Sequence, residues 1–152
     1  MGNKQSEYKN ITIKISGKHI HGAIEEDQLE LITEAKMYEK NGILYILYDE
    51  SELSGMEGVS TRMRLSTDSM KLVRSAKGGK EKMSEMFFKE GSRFQDVYET
   101  PMGTVEIELL TNQFHNTMNF EGTGNLKIEY DISLKGLSEG RSRLEVEIFL
   151  NI

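Results

Sequence analysis

The chain has 152 residues, 19 of them basic and 25 acidic, so it can bury one self-sufficient core while its net charge of −6 repels a phosphate backbone over most of its surface. It has no cysteine, which excludes disulfides, thiolate metal sites and cysteine nucleophiles and fits a reducing compartment. No apolar run approaches a membrane span and the first nine residues hold no signal-peptide core, so a soluble cytoplasmic protein is expected.

Residues 1–8 are expected to form a flexible N-terminus ahead of a single domain over 9–152. Met1-Gly2 with Ser6 fits a myristoylation pattern and Asn10-Ile11-Thr12 a glycosylation pattern; both patterns are too short to carry weight. Ile11-Thr-Ile-Lys-Ile15 alternates apolar and polar residues, the period of a half-buried strand. Gly17 to Asp27 is polar and could hold a short helical turn. Strands follow near 29–40 and 43–49, joined at Asn41-Gly42, a pair suited to the two positive φ angles of a type I′ hairpin. Further strands are predicted near 58–66, 69–75, 82–89, 93–100, 103–114, 122–135 and 142–151. They are separated by Ser66-Thr-Asp68, Gly78-Gly79, Glu90-Gly-Ser92, Pro101 to Gly103, Gly122-Thr-Gly124 and Gly136 to Gly140. Pro101, the only proline, stands where a type I turn takes proline second and glycine fourth. In Leu126-Lys-Ile-Glu-Tyr-Asp-Ile-Ser-Leu134 the alternation is unbroken, and in Leu144 to Leu150 only Phe149 breaches it.

Ten or so strands in sequence order with tight turns give an antiparallel meander. Several exceed the usual length, and closing such a sheet removes its exposed edges. The fold class is therefore all-β: a single antiparallel up-and-down barrel of about 8–10 strands. A two-sheet sandwich would show the same alternation, but hairpin follows hairpin without the long crossovers of a Greek key.

Residues 60–93 carry nine basic and four acidic residues, a net of +5, which leaves −11 for the remainder. The simplest reading is a solvated face, with Lys77, Lys80 and Lys82 keeping a loop soluble. Arg62 and Arg64 alternate with apolar neighbours and are predicted to point outward, with no aromatic neighbour on their face. Arg74 follows Met70 and Leu72 at two-residue spacing and so faces inward, where an arginine needs a partner. Glu50 or Glu99 could supply it; the alternative is an anion at the barrel mouth. An ion pair is the simpler outcome.

Other chemistry finds little support. His19 and His21 share a strand face, and Glu25, Glu26 or Asp27 could add a third ligand, but a polar loop is an ordinary place for exposed histidines and no metal is expected. No nucleophile elbow, P-loop or dinucleotide fingerprint occurs. The pairs Glu106/Glu108 and Glu145/Glu147 fall on the wet face, and a general acid needs burial. Of the nine methionines, Met37, Met63, Met70, Met83 and Met86 fall in predicted strands, where they can fill an irregular core or line an adaptable pocket.

Taken in order, Thr33-Glu-Ala-Lys-Met-Tyr-Glu-Lys-Asn-Gly42, Tyr48-Asp-Glu50, Gly58-Val-Ser-Thr61, Arg74, Phe88-Lys-Glu-Gly91, Tyr98-Glu-Thr-Pro-Met-Gly103 and Gly124-Asn-Leu-Lys-Ile-Glu-Tyr130 resemble the bacterial YwiB-like proteins (DUF1934). The resemblance runs from about Asn10 to Phe149. It implies a lipocalin-like, or calycin-like, β-barrel and no established chemistry. One departure is visible: the family tends to place a glycine close behind the arginine matching Arg74, whereas Arg74-Ser-Ala-Lys precedes Gly78 here, which implies a longer turn.

The expected function is non-catalytic binding of a small, partly apolar or anionic ligand in the barrel interior, without a cofactor. Arg74, Tyr48, Glu50 and Tyr98 are the candidate residues at the mouth. The alternative is a protein–protein scaffold that uses the basic sector at 60–93. Nucleic acid is not expected, because single-strand binders interleave aromatics with basic residues on an exposed sheet.

Overall fold

The computed structural model describes residues 8–21, 23–50, 58–78, 82–100, 103–135 and 138–150. Ten strands form one antiparallel sheet: β1 Lys9–His21, β2 Ile24–Lys40, β3 Ile43–Asp49, β4 Val59–Leu65, β5 Ser69–Ala76, β6 Lys82–Lys89, β7 Arg93–Thr100, β8 Gly103–Asn116, β9 Asn125–Leu134 and β10 Ser138–Leu150. Their lateral order is β6-β5-β4-β3-β2-β1-β10-β9-β8-β7. The first and last strands thus pair with each other, Ile13 opposite Ile148, and sit mid-sheet. Phe88 of β6 meets Tyr130 of β9 across the interior, ring centroids 5.2 Å apart, so the sheet curls into a nearly closed barrel.

The alternation in the sequence becomes the two sides of this wall. Ile11, Ile13, Met37, Ile46, Met63, Met70, Leu109, Ile128 and Val146 are essentially inaccessible, while Arg62, Arg64, Glu106, Glu147 and Phe149 face solvent. Met83 is also outward and exposed, so of the strand methionines it is not a core filler. Asn41 and Gly42 have φ of 53° and 78°, the pair of positive angles that the β2–β3 turn requires. Pro101 and Met102 lie outside the described residues, but Thr100 pairs with Gly103, so β7 and β8 form the expected two-residue hairpin.

Three expectations need correction. Among its described residues Gly17 to Asp27 contains no helical turn: β1 and β2 continue as a hairpin to His21 and Ile24, with a register shift at Gly17/Lys18 that absorbs the irregular spacing. β9 starts at Asn125, because 117–124 folds back across one barrel end. There Met118 joins the core and Thr117 N–H donates to the Asn125 carbonyl at 2.9 Å. Gly124 has φ +102°, and a Cβ on it would overlap the Thr117 carbonyl oxygen, so only glycine fits. Lys9 Nζ donates to the Phe120 carbonyl and lies 4.2 Å from that ring's centroid, pinning the same segment.

The third correction concerns β6 and β7. They follow one another in the chain yet form no ladder. Gly91 N–H donates to the Thr111 carbonyl (2.9 Å) and Thr111 N–H to the Ser92 carbonyl (3.1 Å), so the turn between them is bonded to β8. The meander is therefore split by a seam between β6 and β7. Among the described residues no helix is long and apolar enough to cross a membrane.

Candidate functional site

Two rows of cross-strand neighbours put polar side chains on the inner face of the barrel. In one, Tyr48 pairs with Thr61, Thr61 with Arg74 and Arg74 with Ser84, crossing β3 to β6. In the other, His19 pairs with Ser142, Ser142 with Tyr130 and Tyr130 with Thr111, crossing β1, β10, β9 and β8. Each residue continues the inward phase of its strand: Arg74 after Met70 and Leu72, Tyr130 after Leu126 and Ile128, Thr111 after Ile107 and Leu109. Tyr48, Thr61, Arg74, His19 and Ser142 lie toward the end where β3 gives way to β4 and β5 to β6, opposite Met118, whereas Thr111 is bonded to the Gly91–Ser92 turn on the Met118 side.

Arg74 is the centre of this layer. Its Nε lies 3.8 Å from Glu50 Oε2, with the arginine side chain 21% exposed and that of Glu50 only 2%. Glu50 follows β3, held there by its N–H donating to the Val59 carbonyl at 2.8 Å. The Thr61 hydroxyl also donates to the Glu50 carboxylate, and the Tyr48 phenol lies close enough to feel both groups. Burial, reinforced by the Glu50 charge, pushes the Tyr48 phenol far above its ordinary value, so it is a proton donor at all ordinary pH. Burial likewise raises Tyr130, while the hydrogen bond to Ser142 and the Arg74 charge act in the opposite direction. Arg74 thus faces Glu50 on one side and influences Tyr130 on the other.

Two features distinguish the layer from the apolar core below it. First, Arg74 Nε and Thr111 Oγ1 are buried and have no hydrogen-bond partner in the protein. Buried donors are rarely left so. Second, among the described residues the sheet's register shifts fall at Gly17/Lys18, Arg74/Ser75 and Thr111/Gln113, within or beside the two rows. Bulges re-aim side chains and cluster at binding sites.

Of the sequence candidates, the structure brings together Arg74, Glu50 and Tyr48. Tyr98 stands opposite Val105 in β7, and its side chain, like that of Glu99, lies outside the described residues. His19 approaches Ser142 Oγ through Nδ1 (3.4 Å), and His21 falls outside the described side chains. Among the described residues no group of three His, Asp or Glu is disposed to hold a metal. Thr61, Ser84, Tyr130, Ser142 and Thr111 were not anticipated. Their one signal was a polar group in the apolar phase of a strand, which acquires meaning only when the cross-strand register is known.

The basic sector proves largely paired. Lys71 and Lys82 reach Glu85 at 3.3 and 3.4 Å, Lys77 reaches Asp49 at 3.4 Å, and Arg93 pairs with Glu108. The expectation that Arg62 and Arg64 lack aromatic neighbours fails, because Tyr45 of the adjacent strand pairs with Arg64 and accepts a hydrogen bond from its Nε at 3.3 Å. The partner strand supplies what the arginines' own strand lacks.

Residues 13–146 match the family model described as a domain of unknown function, DUF1934. The fold is similar to the crystal structure of the ywiB protein from Bacillus subtilis, with a TM-score of 0.77 and 20% identity over 97% of this chain and 96% of that one. No curated protein matches.

Proposed function

The chain belongs to the DUF1934 family of domains of unknown function, and on that premise we propose that its barrel binds a small, partly apolar anion whose acidic end meets Arg74. The observation that carries this reading is the buried Arg74 Nε, which makes no hydrogen bond in the protein although Glu50 stands 3.8 Å away. A ligand carboxylate or phosphate would use the guanidinium donors that Glu50 leaves, and its apolar part would lie toward the Ile, Leu and Met side chains beneath the layer. Tyr48, held protonated, and Thr111 would add hydroxyls. Tyr98, on β7 across the seam, completes the candidate set. The reading is one of binding without catalysis, a lipocalin-like use of a cytoplasmic barrel.

Calorimetric titration with straight-chain carboxylates from octanoate to palmitate tests it. Saturable one-to-one binding is expected, weakened about tenfold or more in Arg74→Gln, as for a lost charge-assisted hydrogen bond. Equal affinity for the matching alcohols, or binding unchanged in Arg74→Gln, would refute the role of Arg74.

A further inference from the structure

Outside the barrel, one cross-strand row has a composition unlike the rest of the surface. Tyr38 pairs with Tyr45, Tyr45 with Arg64, Arg64 with Lys71 and Lys71 with Phe87, so β2 to β6 present aromatic, aromatic, basic, basic, aromatic in line. Four strand spacings of about 4.8 Å make this row roughly 19 Å long. The Tyr38 and Tyr45 rings meet edge to face at 4.7 Å, and Tyr8, 60% exposed, extends the ladder with its centroid 5.2 Å from that of Tyr38. The next row adds Lys36 and Arg62, both exposed, on either side of Leu47. Lys36 Nζ lies 5.8 Å from the Tyr8 ring, and the Arg62 charge is felt at the Tyr38 phenol.

Among the described residues no carboxylate lies within ion-pair distance of Lys36, Arg62 or Arg64. The acids beside them are occupied: Asp49 by Lys77 and Ser60, Glu85 by Lys71 and Lys82. Glu34 stands further out on β2, exposed, and bounds the face on that side. A cationic strip flanked by half-buried Tyr38, Tyr45 and Phe87 and by the exposed Tyr8 thus occurs on a protein whose net charge is −6.

We propose that this face binds single-stranded nucleic acid, the tyrosines stacking on bases and Lys36, Arg62 and Arg64 meeting phosphates. An acidic protein segment would use the cations but leave the tyrosine ladder without a role. A duplex hides its base faces and would gain nothing from the rings.

Fluorescence anisotropy of labelled U12 RNA and dT12 DNA, titrated with the full chain between 25 and 200 mM KCl, provides the test. Three phosphate contacts give an expected slope of log K against log salt near −2. A same-length duplex should bind about fivefold more weakly or worse, and Tyr45→Ala should lose a similar factor while Tyr45→Phe retains affinity. Arg62→Gln should flatten the salt slope, whereas Lys127→Gln on β9 should not. Should Tyr45→Ala fail to fold, the contrast between Arg62→Gln and Lys127→Gln, with the single-strand preference, decides. No binding at 25 mM KCl, equal binding of duplex, or equal effects of the two charge variants overturns the proposal. Polyglutamate binding as tightly as U12 overturns it in favour of an acidic protein partner.

Discussion

Arg74 and Glu50 illustrate how a single pair can be read for both stability and function. A carboxylate only 2% exposed receives the Thr61 hydroxyl and stands 3.8 Å from the Arg74 guanidinium, so removing one charge strands the other in a poorly solvated place. Glu50→Gln is expected to cost about 3 kcal/mol in urea unfolding, whereas Glu50→Gln combined with Arg74→Met should recover a large part of that loss. A double variant no more stable than the single one would mean that the pair is not the relevant unit. The tyrosines set a pH dependence. Tyr48 and Tyr130 both have raised phenol pKa values in the fold, burial being the first cause. In the unfolded chain they ionise near pH 10, so their contribution is intact below about pH 10 and is lost as pH rises through the folded values. Stability should therefore fall above about pH 10, and Tyr48→Phe should make that fall shallower by up to about 1.4 kcal/mol per pH unit. Unfolding midpoints between pH 9 and 11.5 check this. Arg74 was legible as an inward cation because its two-residue phase is local. The hydroxyls around it were not, since Thr61 and Tyr130 reach the layer only through partner strands.

At the scale of elements, the strands themselves were readable and their neighbours were not. Val105-Glu-Ile-Glu-Leu109 encodes which face is dry within five residues. Nothing as local encodes that Thr111 takes up the backbone of Gly91 and Ser92 and so separates β6 from β7. That seam leaves two strands with a ladder partner on one side only, β6 on β5 and β7 on β8. Amides of Lys82–Lys89 and Arg93–Thr100 should exchange with deuterium in alternation, those pointing into the seam fast and those bonded to β5 or β8 slowly. Amides of β1, paired on both sides, should be uniformly protected. Uniform protection of β6 and β7 would mean that the barrel closes by a full ladder. The same invisibility of neighbours hid the outer face. Arg62 and Arg64 have only small or apolar neighbours on β4, and it is the register with β3 that brings Tyr45 beside Arg64.

For the molecule as a whole, the two-residue alternation and the fairly even spacing of turns led correctly to an antiparallel β-barrel. Pairing of β1 with β10 places the first and last strands in the middle of the sheet, and Met118, with its glycine-dependent turn, packs onto the core at one end of the barrel. Arg74, Glu50 and Tyr48, with the register shifts at Gly17/Lys18 and Arg74/Ser75, lie toward the other end, which gives the molecule a polarity that neither composition nor periodicity encodes. In the proposed reading, a ligand would meet Arg74 at that end of the barrel.

The central claim is tested most directly by extracting the folded protein, purified from its own host, with organic solvent and measuring the extract by mass spectrometry against intact-complex masses under native conditions. A near-stoichiometric small molecule bearing an acidic group is expected on the wild type and should be depleted in Arg74→Gln. An intact mass equal to the bare polypeptide for both proteins, with no enriched compound in either extract, would contradict the account.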